Sequence, residues 1–108
     1  MGLKDKHCSA CTRTTPRLDA GTIGLIKPEI PDWTVADERL KRRFAFADFK
    51  GALAFVNRVG EVAEAEQHHP DLTIHYNQVD VDIWTHAIEP PGLTENDFIL
   101  AARIDSLG

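Results

Sequence analysis

Glu64, His68, His69, His86 and Asp97 are the residues whose types and order could do chemistry. Imidazole has an unperturbed pKa of about 6.5, so a positioned histidine can give or take a proton near neutrality. A carboxylate that accepts one ring N–H chooses which nitrogen remains for a reactant, and Glu64 or Asp97 could do this. Three histidines with carboxylates therefore suit acid–base chemistry. Two other readings of the same residues stay open at this level. A histidine pair closing a helix is also explained by cationic rings at the negative end of the dipole. His68, His69 and His86 could also hold a metal, although adjacent histidines rarely converge on one ion, and the expectation is no metal.

The elements that would position these groups can be read from spacing. Asp48 suits the N-cap of a helix in which Phe49, Leu53, Val56, Gly60 and Ala63 form an apolar stripe, widened by Phe55, Val59 and Val62. Roughly twenty residues, about 30 Å of helix, carry the chain to a stop at His68 or His69, because Pro70 cannot continue a helix and restricts its predecessor. Leu72, Ile74 and Tyr76 alternate with Thr73, His75 and Asn77, and Val79, Val81 and Ile83 follow with the same period. A hairpin turning at Asn77-Gln78 pairs Tyr76 with Val79, Ile74 with Val81 and Leu72 with Ile83, and sets His75 opposite Asp80. This excursion returns the chain to its starting level and brings His86 back toward the paired histidines. Glu89-Pro90-Pro91-Gly92 is a stiff loop. Thr94 followed by Asp97 starts a last helix in the manner of a capping box, with Phe98, Ala101, Ala102 and Asp105 at helical spacing. A carboxylate in that first turn is favoured by the dipole whatever else it does.

Upstream, Asp19 caps a short helix with Ile23 and Ile26 on one side, ending before Pro28. Trp33–Val35 and Arg39–Phe46 read as a first hairpin around Ala36-Asp37-Glu38, with Leu40, Phe44 and Phe46 on one face. Arg42 shares that parity and must lie near an edge or snorkel. The expected fold is α+β: a four-stranded antiparallel sheet with helices packed on one face. Residues 1–18 form a polar, partly ordered tail and residues 19–108 one catalytic domain. The other sheet face, with Trp84 among polar residues, suggests contact with further copies of the chain.

Composition bounds the rest. The 108 residues, 43% hydrophobic, fit one domain with one core. No run approaches the eighteen or so apolar residues of a membrane span, and Met1–Lys6 lacks a secretory apolar region, so a cytoplasmic location without membrane contact is expected. A net charge of −5 argues against a nucleic-acid surface. The one basic cluster, Lys41-Arg42-Arg43, reads as a solvated face. His7, Cys8 and Cys11 offer three ligands where zinc normally needs four, which leaves an ordinary reduced tail.

The order Glu64, His68-His69-Pro70, Tyr76, His86, Gly92-Leu93-Thr94 and Asp97 resembles the pterin-4a-carbinolamine dehydratase family. The likeness runs from Pro31-Asp32-Trp33 through Phe44 and the Phe49 helix to Ala101-Ala102-Arg103. It implies a hydro-lyase, 4a-hydroxytetrahydrobiopterin dehydratase, which eliminates water from the 4a-carbinolamine released by aromatic amino-acid hydroxylases and gives quinonoid dihydropterin. Carried across, it makes His68 and His86 the acid–base groups, and His69, Pro70, Asp97, Glu64 and Thr85 the substrate-binding residues. No cofactor is implied, because the pterin is itself the substrate. The implied partners are a second copy or three further copies of the chain and a functional link to a hydroxylase. Animal members also serve as dimerisation cofactors for a homeodomain transcription factor, and related proteins are assembly factors, so a non-catalytic partner role is the alternative. The chain departs from the pattern in Ile88-Glu89-Pro90-Pro91, which lengthens the loop relative to the animal enzymes, and in Leu72, where those enzymes carry Trp.

Overall fold

The structure is a computed structural model that describes Cys8 and residues 17–85 and 92–107. Its order is α1 (Ala20–Ile26), a single 3-10 turn (Lys27–Glu29), β1 (Thr34–Ala36), β2 (Arg39–Ala45), α2 (Phe49–Glu66), β3 (Asp71–His75), β4 (Gln78–Ile83) and α3 (Glu95–Asp105). The four strands form the expected single antiparallel sheet, and their order is β1-β2-β4-β3.

Alternation decides the two sheet faces. Leu40, Phe44, Val79, Val81 and Ile83 point to the buried side, joined there by Phe55 and Val59 of α2 and by Phe98, Leu100 and Ile104 of α3. Phe55 stacks between Phe44 and Phe46, with ring centroids 4.6 and 5.0 Å away. The outer side is a charge ladder: Arg43 meets Asp80 at 2.6 Å, Arg39 meets Asp82 at 3.7 Å, and the Arg39 guanidinium lies 3.9 Å over the Trp84 ring. Lys41 and Arg43 of the basic cluster thus lie on a paired, solvated face. Arg42 lies on the helix side, where it reaches Asp105 at 2.7 Å and covers the Phe44 ring.

Three details differ from the sequence expectation, each for a local reason. The second hairpin turns at Tyr76-Asn77, so Ile74 pairs with Val79 and Leu72 with Val81. Asn77 fixes this register, because its carbonyl accepts from the Phe46 N–H at 2.8 Å and its side-chain amide donates to the Phe46 carbonyl at 3.0 Å. The shift is an even number of positions, so each residue keeps its face, but Tyr76 moves into the turn, where it is exposed. His75 still reaches Asp80, diagonally, at 3.1 Å.

The second difference is in α2. Ala52, Phe55, Val59 and Ala63 form its buried side, while Phe49 and Leu53 face outward. Both stripes are apolar, and the sheet takes the one carrying Phe55, whose ring fits between two other rings. Third, α2 stops at Glu66, short of the histidines. Gln67 adopts a left-handed conformation, φ 53°, and the Gln67 and His68 N–H groups return to the Glu64 and Ala63 carbonyls. This is a Schellman arrangement with glutamine in the position glycine usually takes.

Candidate active site

The left-handed Gln67 turns the chain out of α2, so His68 and His69 leave the helix in different directions. Each finds a separate carboxylate. His68 Nε2 lies 2.6 Å from Asp97 Oδ1, and His69 Nε2 lies 2.6 Å from Glu64 Oε1. The two pairs differ in exposure. Asp97 is fully buried and the His68 side chain only 11% exposed, whereas His69 and Glu64 are open to solvent. The adjacent imidazoles therefore diverge, and each is oriented by its own acid.

Asp97 occupies the first turn of α3, where the amide groups of the helix start face it. Its Oδ2 accepts from the Thr94 N–H at 2.8 Å, the acid-to-backbone half of a capping box, and from the Thr85 hydroxyl at 2.8 Å. The Thr85 and Thr94 hydroxyls are themselves 2.8 Å apart. Thr85 also pairs with Gly92 through the Thr85 N–H and Gly92 carbonyl at 2.8 Å, which joins the end of β4 to the approach to α3. Because the carboxylate accepts at every contact, the His68 Nε2 bonded to it carries hydrogen, and Nδ1 is the nitrogen left for a reactant.

A second buried acid supports this corner from behind. Glu66 accepts from the Cys8 N–H at 2.6 Å and stands 3.7 Å from Arg103. The Cys8 Sγ donates toward the Asn96 carbonyl at 3.5 Å. Burial, with the negative charges of Glu66 and Asp97 nearby, pushes the Cys8 thiol up to about 12. The tail therefore touches the domain at Cys8, which is half-buried against the core.

Of the residues picked out in the sequence, the structure brings His68, Asp97 and Thr85 into one buried network and places His69 with Glu64 on the rim beside it. Pro70 follows at the corner, partly buried. Thr85, expected to touch substrate, is buried with its hydroxyl committed to Asp97, so it reaches the site through that carboxylate. His86 lies outside the described residues. Thr94 was legible only as a helix cap; the acid three residues later was the signal that it could share in the site. A hollow of about 830 Å³ on the outer sheet face, bordered by Lys41, Arg43, Asp80 and Asp82, includes none of the site residues. Among the described residues no helix is long and apolar enough to cross a membrane, and no three metal-binding side chains gather.

A helix-backed antiparallel sheet whose helix–hairpin corner presents an imidazole held by a buried carboxylate defines a small α+β protein with a candidate acid–base site. The chain belongs to the pterin 4 alpha carbinolamine dehydratase family, whose model matches residues 18–107. Relatives from Gloeobacter violaceus, named "putative pterin-4-alpha-carbinolamine dehydratase 1", and Halorhodospira halophila, named "putative pterin-4-alpha-carbinolamine dehydratase", are 44% and 48% identical. The first alignment covers 99% of this chain and 94% of the relative, the second 100% and 99%. Among solved structures, a "transcriptional coactivator/pterin dehydratase" from Brucella melitensis superposes with a TM-score of 0.78 at 32% identity, over 85% of this chain and 98% of that one.

Proposed function

We propose that this protein is a 4a-hydroxytetrahydrobiopterin dehydratase, and the His68–Asp97 pair at 2.6 Å carries the reading. Hydroxide leaves C4a readily only if the oxygen is protonated as it departs, and a ring nitrogen must give up a proton for the C4a=N5 double bond to form. The elimination needs one acid and one base, each near neutral pKa. Histidine meets that requirement, and positioned proton transfer contributes on the order of 10²–10⁴-fold. Asp97 holds the His68 ring by Nε2, which leaves Nδ1 to work at the pterin. His86 supplies the second group, and His69, oriented by Glu64, binds substrate. The oxidation level of the pterin does not change, so the reaction calls for no redox cofactor, and the two histidines supply the acid and the base.

Cytoplasmic recycling of the pterin for an aromatic amino-acid hydroxylase is the setting we infer. Assembly into a homodimer or homotetramer is supported by the apolar Phe49 and Leu53 on the outer side of α2. The name of the Brucella structure keeps a coactivator role in view, and the dehydratase reading is favoured because His68, His69 and His86 are all present in the sequence together with Asp97. The test is stopped-flow decay of the 4a-carbinolamine with and without protein. Wild type accelerates the decay, and His68→Ala and His86→Ala each lose about a hundredfold or more while their melting curves stay cooperative. Absence of acceleration by wild type, or near-wild-type turnover in either variant, overturns the assignment.

A further inference from the structure

The buried hydroxyls behind Asp97 have a direction, and the direction has a consequence for His68. Oδ2 faces two donors, the Thr94 N–H and the Thr85 O–H, both at 2.8 Å. A carboxylate oxygen has two lone pairs in its plane, and these donors fill them. Since the single Thr85 proton points at Asp97, the Thr85 oxygen can only accept from Thr94, 2.8 Å away. The chain therefore runs one way, from the Thr94 hydroxyl to the Thr85 hydroxyl to Oδ2. Thr85 is 1% exposed, Thr94 4% and Asp97 0%, so solvent cannot stand in for a missing member. Among the described residues, Oδ1 is left to His68 alone.

We propose that Thr85 and Thr94 are positioning residues that fix the Nε2–H tautomer of His68 through Asp97, so that Nδ1 is always the nitrogen offered to the reactant. Without the Thr85 hydroxyl, one lobe of Oδ2 is unpaired in a dry site. The Thr94 N–H alone then holds Oδ2, so the carboxylate can tilt about its Cβ–Cγ bond, its hold on Nε2–H slackens, and the Nδ1–H tautomer gains population. Thr85 also pairs with Gly92, so the same residue ties the end of β4 to the helix that carries Asp97.

The test compares wild type, Thr85→Val and Thr85→Ser by ¹⁵N NMR of the His68 ring, by kcat and KM across pH 6–9, and by thermal melting. The rate part rests on the dehydratase reading; the tautomer part does not. Expected for Thr85→Val are a mixed tautomer pattern, a kcat lowered about ten- to a hundredfold with KM within about twofold, and an altered pH profile. Thr85→Ser restores the Nε2–H pattern and most of kcat. An unchanged ring pattern in folded Thr85→Val overturns the inference, and so does Thr85→Ser falling as far as Thr85→Val, because packing of the methyl group would then be the cause. Should Thr85→Val not fold, Thr85→Cys, similar in size with a poor donor, carries the same expectation, and a wild-type pattern there overturns it. A wild type without activity removes the dehydratase reading, while the ring pattern still decides this one.

Discussion

Asp97→Asn is the substitution that most directly probes how the site works. The change is nearly isosteric, so the fully buried position keeps its volume. It replaces one acceptor oxygen by an NH₂ donor, and the surroundings decide which way the amide turns. The Thr94 N–H is a fixed backbone donor at 2.8 Å, so an NH₂ placed against it would leave two buried donors facing each other. A buried group left unpaired costs about 1–3 kcal/mol. The amide therefore keeps its oxygen toward Thr94 and Thr85 and presents NH₂ to His68 Nε2. That nitrogen must now accept, so the ring hydrogen moves to Nδ1 and the working nitrogen changes from acceptor to donor. Inverting a catalytic tautomer while leaving the geometry in place costs on the order of 10²–10⁴ in turnover. Loss of the charge-assisted contact lowers stability by about 1–3 kcal/mol, and each kcal/mol lowers Tm by about 4–8 °C in a domain of this size. Stopped-flow carbinolamine decay and a melting curve measure both. Turnover within about threefold of wild type with an unchanged melt would refute the reasoning, because the carboxylate would then have no orienting role.

Three further outcomes follow from other parts of the fold. Partial burial raises the Asp105 carboxyl above its ordinary range despite the opposing Trp33 and Arg42 contacts, so the folded state binds that proton more tightly than the unfolded state. Stability from this group is fully present below about pH 4 and declines as pH rises through the raised value, so Asp105→Asn should gain on wild type as pH rises above about 4 in urea titrations; the opposite trend rejects it. Gln67→Gly relieves a left-handed residue at the cost of one exposed side-chain bond to the Glu64 carbonyl, giving a net gain of about 0.5–1 kcal/mol, whereas Gln67→Val loses stability; a lower Tm for the glycine variant counts against the strain argument. With its thiol at about 12, Cys8 in a Cys11→Ser background should react with iodoacetamide at pH 8 about a thousandfold more slowly than an unperturbed thiol, and labelling at the ordinary rate would show that the Glu66 contact does not hold it in solution.

Much of this architecture was legible because hydrophobic period and breakers dictate it. Asp19, Asp48 and Thr94 start their helices where the sequence says they should, and the strand faces follow from alternation alone. What the sequence leaves undetermined comes from contacts between distant segments. The Tyr76-Asn77 turn is set by Asn77 reaching Phe46, a contact no local pattern contains. The inward face of α2 is chosen by the rings of Phe44 on β2 and Phe46 just after it. Arg42 reads as an edge residue, and its partner Asp105 comes from the far end of the chain. At the site, the His68–Asp97 pairing agrees with the order of residues. The commitment of Thr85 to Asp97 was hidden, because a threonine after a strand carries no signal of which way its hydroxyl turns.

The last helix has almost no outward side, since Asn96 through Ala102 and Ile104 are all buried. To free the carboxylate at its start, Phe98, Leu100 and Ile104 would have to leave the interior together, so the energy of local opening there approaches that of unfolding the whole molecule. Tolerance of sequence drift in this helix is correspondingly low, and the His68–Asp97 corner inherits the slowest breathing in the protein. The His69–Glu64 pair on the rim, open to solvent, lies outside that constraint, so adjustment at this corner falls to the rim while the anchor behind it stays still.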